Sequence, residues 1–245
     1  MGIRHEQFQQ FKGLIGDLNR AMILEYYSMS KNKNPIARRM PLEQEQLLYV
    51  LGQYTKFPAK IVSFLDLARE SAAQTGWNEA EKELTRNMGE ELGTRSHGIT
   101  HYQMLLNGLQ ELCIDVLIIP TYSATEQFIS AMTTAMKNSN PAYVAGAIYA
   151  CESSAVPELE IVVDLTNSLF TQKGKIMSSE FKTFFELHLN NWEPGHEQGL
   201  QNNLALYIIS KKQRNEFEYG FRDVMCTMDQ WWNGLYKESL QLDKV

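Results

Sequence analysis

Three cysteines in 245 residues are too few for a disulfide framework, and Cys113, Cys151 and Cys226 are too scattered for a Cys-x-x-Cys site. Such sparing use suits a reducing compartment. A cationic surplus is also missing. With 23 Lys and Arg against 29 Asp and Glu, the net charge is −6, and no basic stripe exists to neutralise phosphates, which excludes nucleic acid as a partner. The one basic stretch, residues 31–39, is broken by Asn34 and Pro35 and reads as a solvated loop. Long apolar runs are absent too: the strongest, residues 112–119, is too short to span a bilayer and contains Asp115, so no membrane association is expected. The polar start at residues 6–12 lacks the apolar segment of a secretory leader, and a cytoplasmic location is expected. No stretch alternates polar and apolar residues for long, so no strand is expected.

Helical periodicity fills the space these absences leave. Phe8, Phe11, Ile15, Leu18, Met22 and Tyr26 recur at spacings of three and four, one face of a long helix. Pro35 and Pro41 are expected to end it and open a second helix over 42–73. Thr75-Gly76-Trp77 reads as a turn, followed by a third helix over 78–106 that contains Gly89, Gly93 and Gly98. Each glycine costs about 1 kcal/mol relative to alanine in a helix interior, so three together imply a bend or a close backbone approach. Ser123-Ala124-Thr125-Glu126 has the form of a capping box for a fourth helix. Asn138-Ser139-Asn140-Pro141 ends it and starts a fifth running towards residue 170; Gly174 marks the next turn. A sixth helix covers 178–190, and a last helical segment covers 195–236. With no repeat and no linker, the sequence predicts one all-α domain, a bundle of about seven helices over 1–245.

Histidine is scarce as well, and its placement is informative. His5 sits near the start and reads as inert. The other four, His97, His101, His188 and His196, fall in two clusters with carboxylates among apolar residues. Glu90 and His97 are seven apart and share a helical face, although their backbones would be roughly 10 Å apart along a straight axis. Gly93 between them offers a place for distortion. Glu152 lies in a run of small and apolar residues; if that face is buried, its charge needs a partner or a metal. Glu193 and His196 have the Glu-x-x-His spacing with which dimetal bundles aim two ligands inward, but Pro194 disfavours a helical Glu193, so a bent turn is equally open. A satisfied structural role remains open for each of these residues taken singly. His101 reads as packed or as a group supporting a ligand.

The order Glu90–x6–His97, then Tyr149-x-x-Glu152-x-x-x-x-Pro157, then Phe184-Phe185-x-x-His188 with a following acid and histidine resembles the heme-oxygenase-like diiron oxidases. That group includes the chlamydial death-domain-associating protein (CADD). More distantly, the sequence resembles the thiaminase-type (TenA) and quinone-synthase-type (PqqC) proteins of the same fold. Residues 51–57 look like the second helix of that superfamily, and the resemblance covers about 44–200. It implies a heme-oxygenase-like bundle without heme and a ligand set of Glu90, His97, Glu152, His188, Glu193 and His196, with Glu152 bridging two metals. The family pattern is His-x3-Asp-x2-His; here one extra residue separates the histidines, the acid is Glu193, and the position four after His188 is Trp192, which cannot ligate.

The function this implies is a diiron oxidase or oxygenase: two iron ions, with manganese possible at one site, activate O₂ against a small organic substrate. Tyr26, Tyr27 and Tyr54 are candidates for a redox-active tyrosine. Two other readings stand beside it. One is a metal-free enzyme of the same fold, with Cys151 as nucleophile. The other is a helical scaffold or partner-binding protein, in which the Trp231-Trp232 pair anchors a homodimer.

Overall fold

The computed structural model describes residues 2–242 except 114 and 117, with side chains from residue 6 onward, so His5 lies outside the described side chains. Among the described residues there are ten α-helices and no strand. They are α1 (Gly2–Glu25), α2 (Gln44–Tyr54), α3 (Pro58–Gln74), α4 (Asn78–Glu91), α5 (His101–Gln110), α6 (Ser123–Met136), α7 (Pro141–Gln172), α8 (Ser179–Leu187), α9 (Glu193–Leu204) and α10 (Lys211–Ser239), with a π-helical turn, His188–Trp192, joining α8 to α9. None is long and apolar enough to cross a membrane.

The organising element is α7. Asn140 caps it by accepting a hydrogen bond from the Ala142 N–H, and Pro141 takes the first position, where a missing N–H costs nothing. Almost every side chain from Ala142 to Ser154 is buried, the mark of a helix enclosed on all sides. The long α10 lies against it, and glycine permits the approach. A Cβ at Gly146 would come within 1.9 Å of the Phe217 carbonyl oxygen, and one at Gly220 within 2.0 Å of the Tyr143 carbonyl oxygen. Any larger residue at either position would push the two central helices apart.

The elements exceed the expected seven because three of the expected segments each divide in two. The first helix stops at Glu25, before either proline, and the chain turns where Asp229 of α10 takes up the Ser28 hydroxyl and backbone N–H. Pro58 cannot donate a helical hydrogen bond, so the second segment divides into α2 and α3 there. The third divides at Gly93, whose φ of +97° no side chain tolerates well and whose position leaves no room for one, the Ile99 carbonyl oxygen lying 2.7 Å from a notional Cβ. The last divides at residues 205–210 into α9 and α10. The expected capping box at Ser123 does not form: Tyr122 is the N-cap, and the Ala124 N–H instead donates to the Glu238 carboxylate of α10 at 3.0 Å. Trp231 and Trp232 are core residues, not an interface anchor. Both are buried, the Trp231 ring stacks on Phe128 at 4.2 Å, and their indole N–H groups donate to Thr125 and Glu158.

Candidate metal centre

Four stretches converge beside α7. From α7 itself, Cys151, Glu152, Ala155, Glu158 and Leu159 lie on one helical face and line a cavity of about 80 Å³. The end of α2 adds Tyr54, the α4–α5 region adds Glu91 and His101, and the α8–α9 region adds Phe184, His188 and Glu193. His196 lies against the same acids.

The π turn explains how the candidate donors of α8 and α9 share a face. The Glu193 N–H donates to the His188 carbonyl, five residues back instead of four. One residue more than an α-helix would hold is thereby absorbed without a break, the usual origin of a π-bulge. His188 and Glu193 are one wide turn apart and both reach the cavity, while Trp192 stacks on the His101 ring at 4.2 Å. Glu193 is helical (φ −62°, ψ −45°) despite Pro194, because that proline occupies the first turn of α9, where no N–H is required. The Glu193–His196 pair thus comes from one ordinary helical turn, not a bent one.

On the α4–α5 side the arrangement departs from the sequence spacing. Glu90 is buried, but its oxygens are committed: Oε1 to Arg86 Nη1 at 2.5 Å and Arg95 Nη2 at 3.2 Å, and Oε2 to His196 Nε2 at 3.1 Å. His97 does not join the cluster; it is exposed in the loop after α4, with a left-handed φ of +54°. Their neighbours take the cavity positions. Glu91 bonds His101 Nδ1 at 3.0 Å, and it lies with Glu193 and His196 in a group whose donor atoms are all within 4.8 Å of one another. Glu91 and His101 are ten apart, a spacing that signals nothing until the loop between them is known.

The electrostatics describe a site short of positive charge. Five glutamates (90, 91, 152, 158 and 193) face three buried imidazoles, and only Glu90 has guanidinium partners. Burial, and then the charges of Glu152 and Glu91, push the Glu193 carboxyl well up. Burial alone would depress His196, but its contact with Glu152 Oε2 at 3.3 Å and the charges of Glu193 and Glu91 prevail, raising it to about 10. Burial and the neighbouring His101 push His188 down to about 4, so it is neutral. Glu91 is likewise buried, yet its hydrogen bond to His101 and the nearby imidazoles hold it below the ordinary value.

Those groups fit a metal. His188 Nδ1 bonds the Phe184 carbonyl at 2.7 Å, which fixes the tautomer and leaves Nε2 as a lone-pair donor. Among the described residues His101 Nε2 is buried with no hydrogen-bond partner, a costly state unless it ligates. The Glu90–His196 contact is the carboxylate–imidazole support that metal-bound histidines commonly have. Carboxylate and imidazole together suit iron or manganese.

Tyr54 lines the cavity with its phenol held protonated by burial and by Glu158, Glu193 and Glu91. Tyr27 lies outside the lining and is 37 % exposed, and Tyr26 is also outside it. The Cys151 thiol is raised well above its ordinary value by burial and by Glu152 and Glu158, which makes it a poor nucleophile. Sequence reasoning passed over Glu91 and Glu158 and left His101 as packing; of these, only Glu158, a charge amid the apolar residues of α7, carried a visible signal.

Residues 12–238 match a family described as a domain of unknown function with a solved structure, DUF3865. The chain belongs to this family. A CADD-like protein of unknown function from Nostoc punctiforme, solved in two crystal structures, superposes with a TM-score of 0.88 in each case; in one it is 33 % identical over 94 % of this chain and 99 % of the other. A TenA homologue from Pseudomonas syringae, 12 % identical, aligns over 94 % of this chain and 92 % of its own with a TM-score of 0.62, which shows the shared fold. A 4-chloro-allylglycine synthase from Streptantibioticus cattleyicolor is 25 % identical over 157 residues, 63 % of this chain and only 57 % of the synthase. The all-α fold and the CADD-like resemblance read from the sequence both hold.

Proposed function

We propose that this chain is a non-heme dimetal enzyme, an O₂-activating oxidase or oxygenase acting on a small organic substrate, with iron as its metal and manganese able to replace it at one site. The observation that carries the reading is the convergence of Glu91, His101, Glu152, His188 and Glu193 on one cavity, with His196 against Glu152 and Glu193 and the buried His101 Nε2 unpartnered among the described residues. The distant synthase relative supports an enzyme acting on a small molecule.

Bound ferrous ions would supply the electrons that reduce O₂. The chain's own residues supply the rest. Glu152, beside His196 and near enough to Glu193 to raise it, would be among the carboxylates that hold the metal. Glu90 orients His196 through Nε2, and its two arginines hold Glu90 in turn. His196, raised to about 10, retains its proton in the absence of metal and must release it to ligate. Phe57, Ile61, Leu105, Leu159 and Phe184 keep the chamber dry, and Tyr54 is the one redox-capable phenol of the three candidates that faces it. Cys151 is kept neutral, which removes the support for a metal-free route through that thiol.

Anaerobic titration of the purified protein with Fe(II) should show about two equivalents bound per chain, as paired-ligand bundles do. Admission of air should then change the visible absorption. Binding near zero would reject the proposal.

A further inference from the structure

Beyond the donor cluster the same cavity holds a second carboxylate of α7, Glu158, which is 1 % exposed. Glu158 and Glu152 both line this chamber, six residues or about one and two-thirds turns apart along α7. Its single hydrogen-bond donor among the described residues is the Trp232 indole N–H, 2.8 Å from Oε1. Among the described residues no lysine or arginine lines the cavity, and its two lining histidines belong to the donor cluster. Outside the donor cluster the lining is largely apolar or aromatic, with Tyr54, Phe57, Ile61, Tyr102 and Leu159 among it, and Tyr54 is close enough to Glu158 to feel its charge.

A buried carboxylate without a cation is costly, and stability alone would favour an apolar residue there. A chamber of about 80 Å³ admits only a small molecule. We infer that Glu158 is a specificity-determining residue that pairs with the ammonium group of a small aliphatic amine, holding the amine's hydrocarbon portion against the apolar wall and towards the metal centre. Aromatic rings in the same lining, that of Tyr54 among them, add the attraction of ring to cation. A carboxylate substrate meets repulsion at this position, and an alcohol gains a hydrogen bond but no charge pairing. This inference rests on the dimetal reading, since without metal the remaining glutamates would draw the ammonium equally well.

The test uses the full chain, first loaded anaerobically with Fe(II) and assayed for bound metal, then titrated by calorimetry with n-butylamine, n-butanol and butyrate as probes. Wild-type protein should bind butylamine at least tenfold more tightly than butanol and should reject butyrate. Glu158→Gln should keep the metal content unchanged, bind butylamine about tenfold or more weakly, and bind butanol as before; Glu158→Met serves as a second variant if the first does not fold. Equal affinities for amine and alcohol in the metal-loaded wild type, or a preference for butyrate, would overturn the inference and leave the dimetal reading intact. Loss of metal in the variants would overturn it by making Glu158 a ligand. Absence of metal from the wild type would reject both.

Discussion

Two regions bring carboxylates and imidazoles to the same cavity by opposite means. Between α8 and α9 an extra residue is absorbed into the helix, and the register of His188, Glu193 and His196 is restored by a π turn. Between α4 and α5 the helix is abandoned: Gly93 and Gly98 carry positive φ, the chain loops out, and His101 returns in a new helix beside Glu91. A continuous helix preserves the face its sequence spacing implies, with a one-residue correction. A broken helix does not, and there the acid and histidine that share a face on paper become a supporting carboxylate and an exposed side chain.

Removing His101 tests the broken side most severely. His101→Ala should lower Fe(II) or Mn(II) affinity by more than about a hundredfold, as loss of a ligand together with its packing on Trp192 requires. Wild-type affinity measured by the same titration would contradict the assignment. Glu90→Gln should have a smaller effect, about 10–100-fold, because Glu90 acts through His196. Loss of an entire metal equivalent in that variant would make Glu90 a ligand after all.

Acidity gives the next effect. His196, raised to about 10 by its carboxylate neighbours, holds its proton through neutral pH, and a metal must displace it. Affinity for Mn(II), followed by calorimetry in buffers of different ionisation heat, should therefore rise by about tenfold per pH unit between pH 6.5 and 9, with about one proton released. Glu158 has its own signature in the metal-free protein. Burial raises it to about 7 against 4.5 when unfolded, so its contribution is most favourable below pH 4.5 and is lost as pH rises through 7. Glu158→Gln should become more stable relative to wild type by about 3 kcal/mol above pH 7, and equal to it near pH 4.5. A pH-independent difference in denaturant unfolding would contradict this.

The smallest effects sharpen the comparison. Deleting Asn191, which is exposed, should convert the π turn to α-helix and leave Glu193 and His196 on the face of His188, with metal affinity within about tenfold of wild type. His97→Ala should leave affinity unchanged. A loss exceeding a hundredfold in either would show that the π turn is required or that His97 ligates.

Much of this architecture was legible in the residues. Periodicity gave the helices, Asn140-Pro141 the start of α7, and the run of small residues around Glu152 its burial. Breaks were less legible, because Pro58 and Gly93 end helices only when tertiary contacts accept the exposed ends. The spacing of Glu91 and His101 means nothing until the loop between them is closed. Whether Trp231 and Trp232 anchor an interface or fill the core was open in the residues, because sequence does not show that Thr125 and Glu158 wait across the core for their indole N–H groups.

Anomalous diffraction from crystals grown with Mn(II) tests the central claim most directly. The account predicts two peaks roughly 4 Å apart, beside Glu152, with Glu91 and His101 among their ligands and Glu90 one shell removed, behind His196. Peaks ligated by Glu90 and His97, with residues 92–100 wound into a continuous helix, would contradict it.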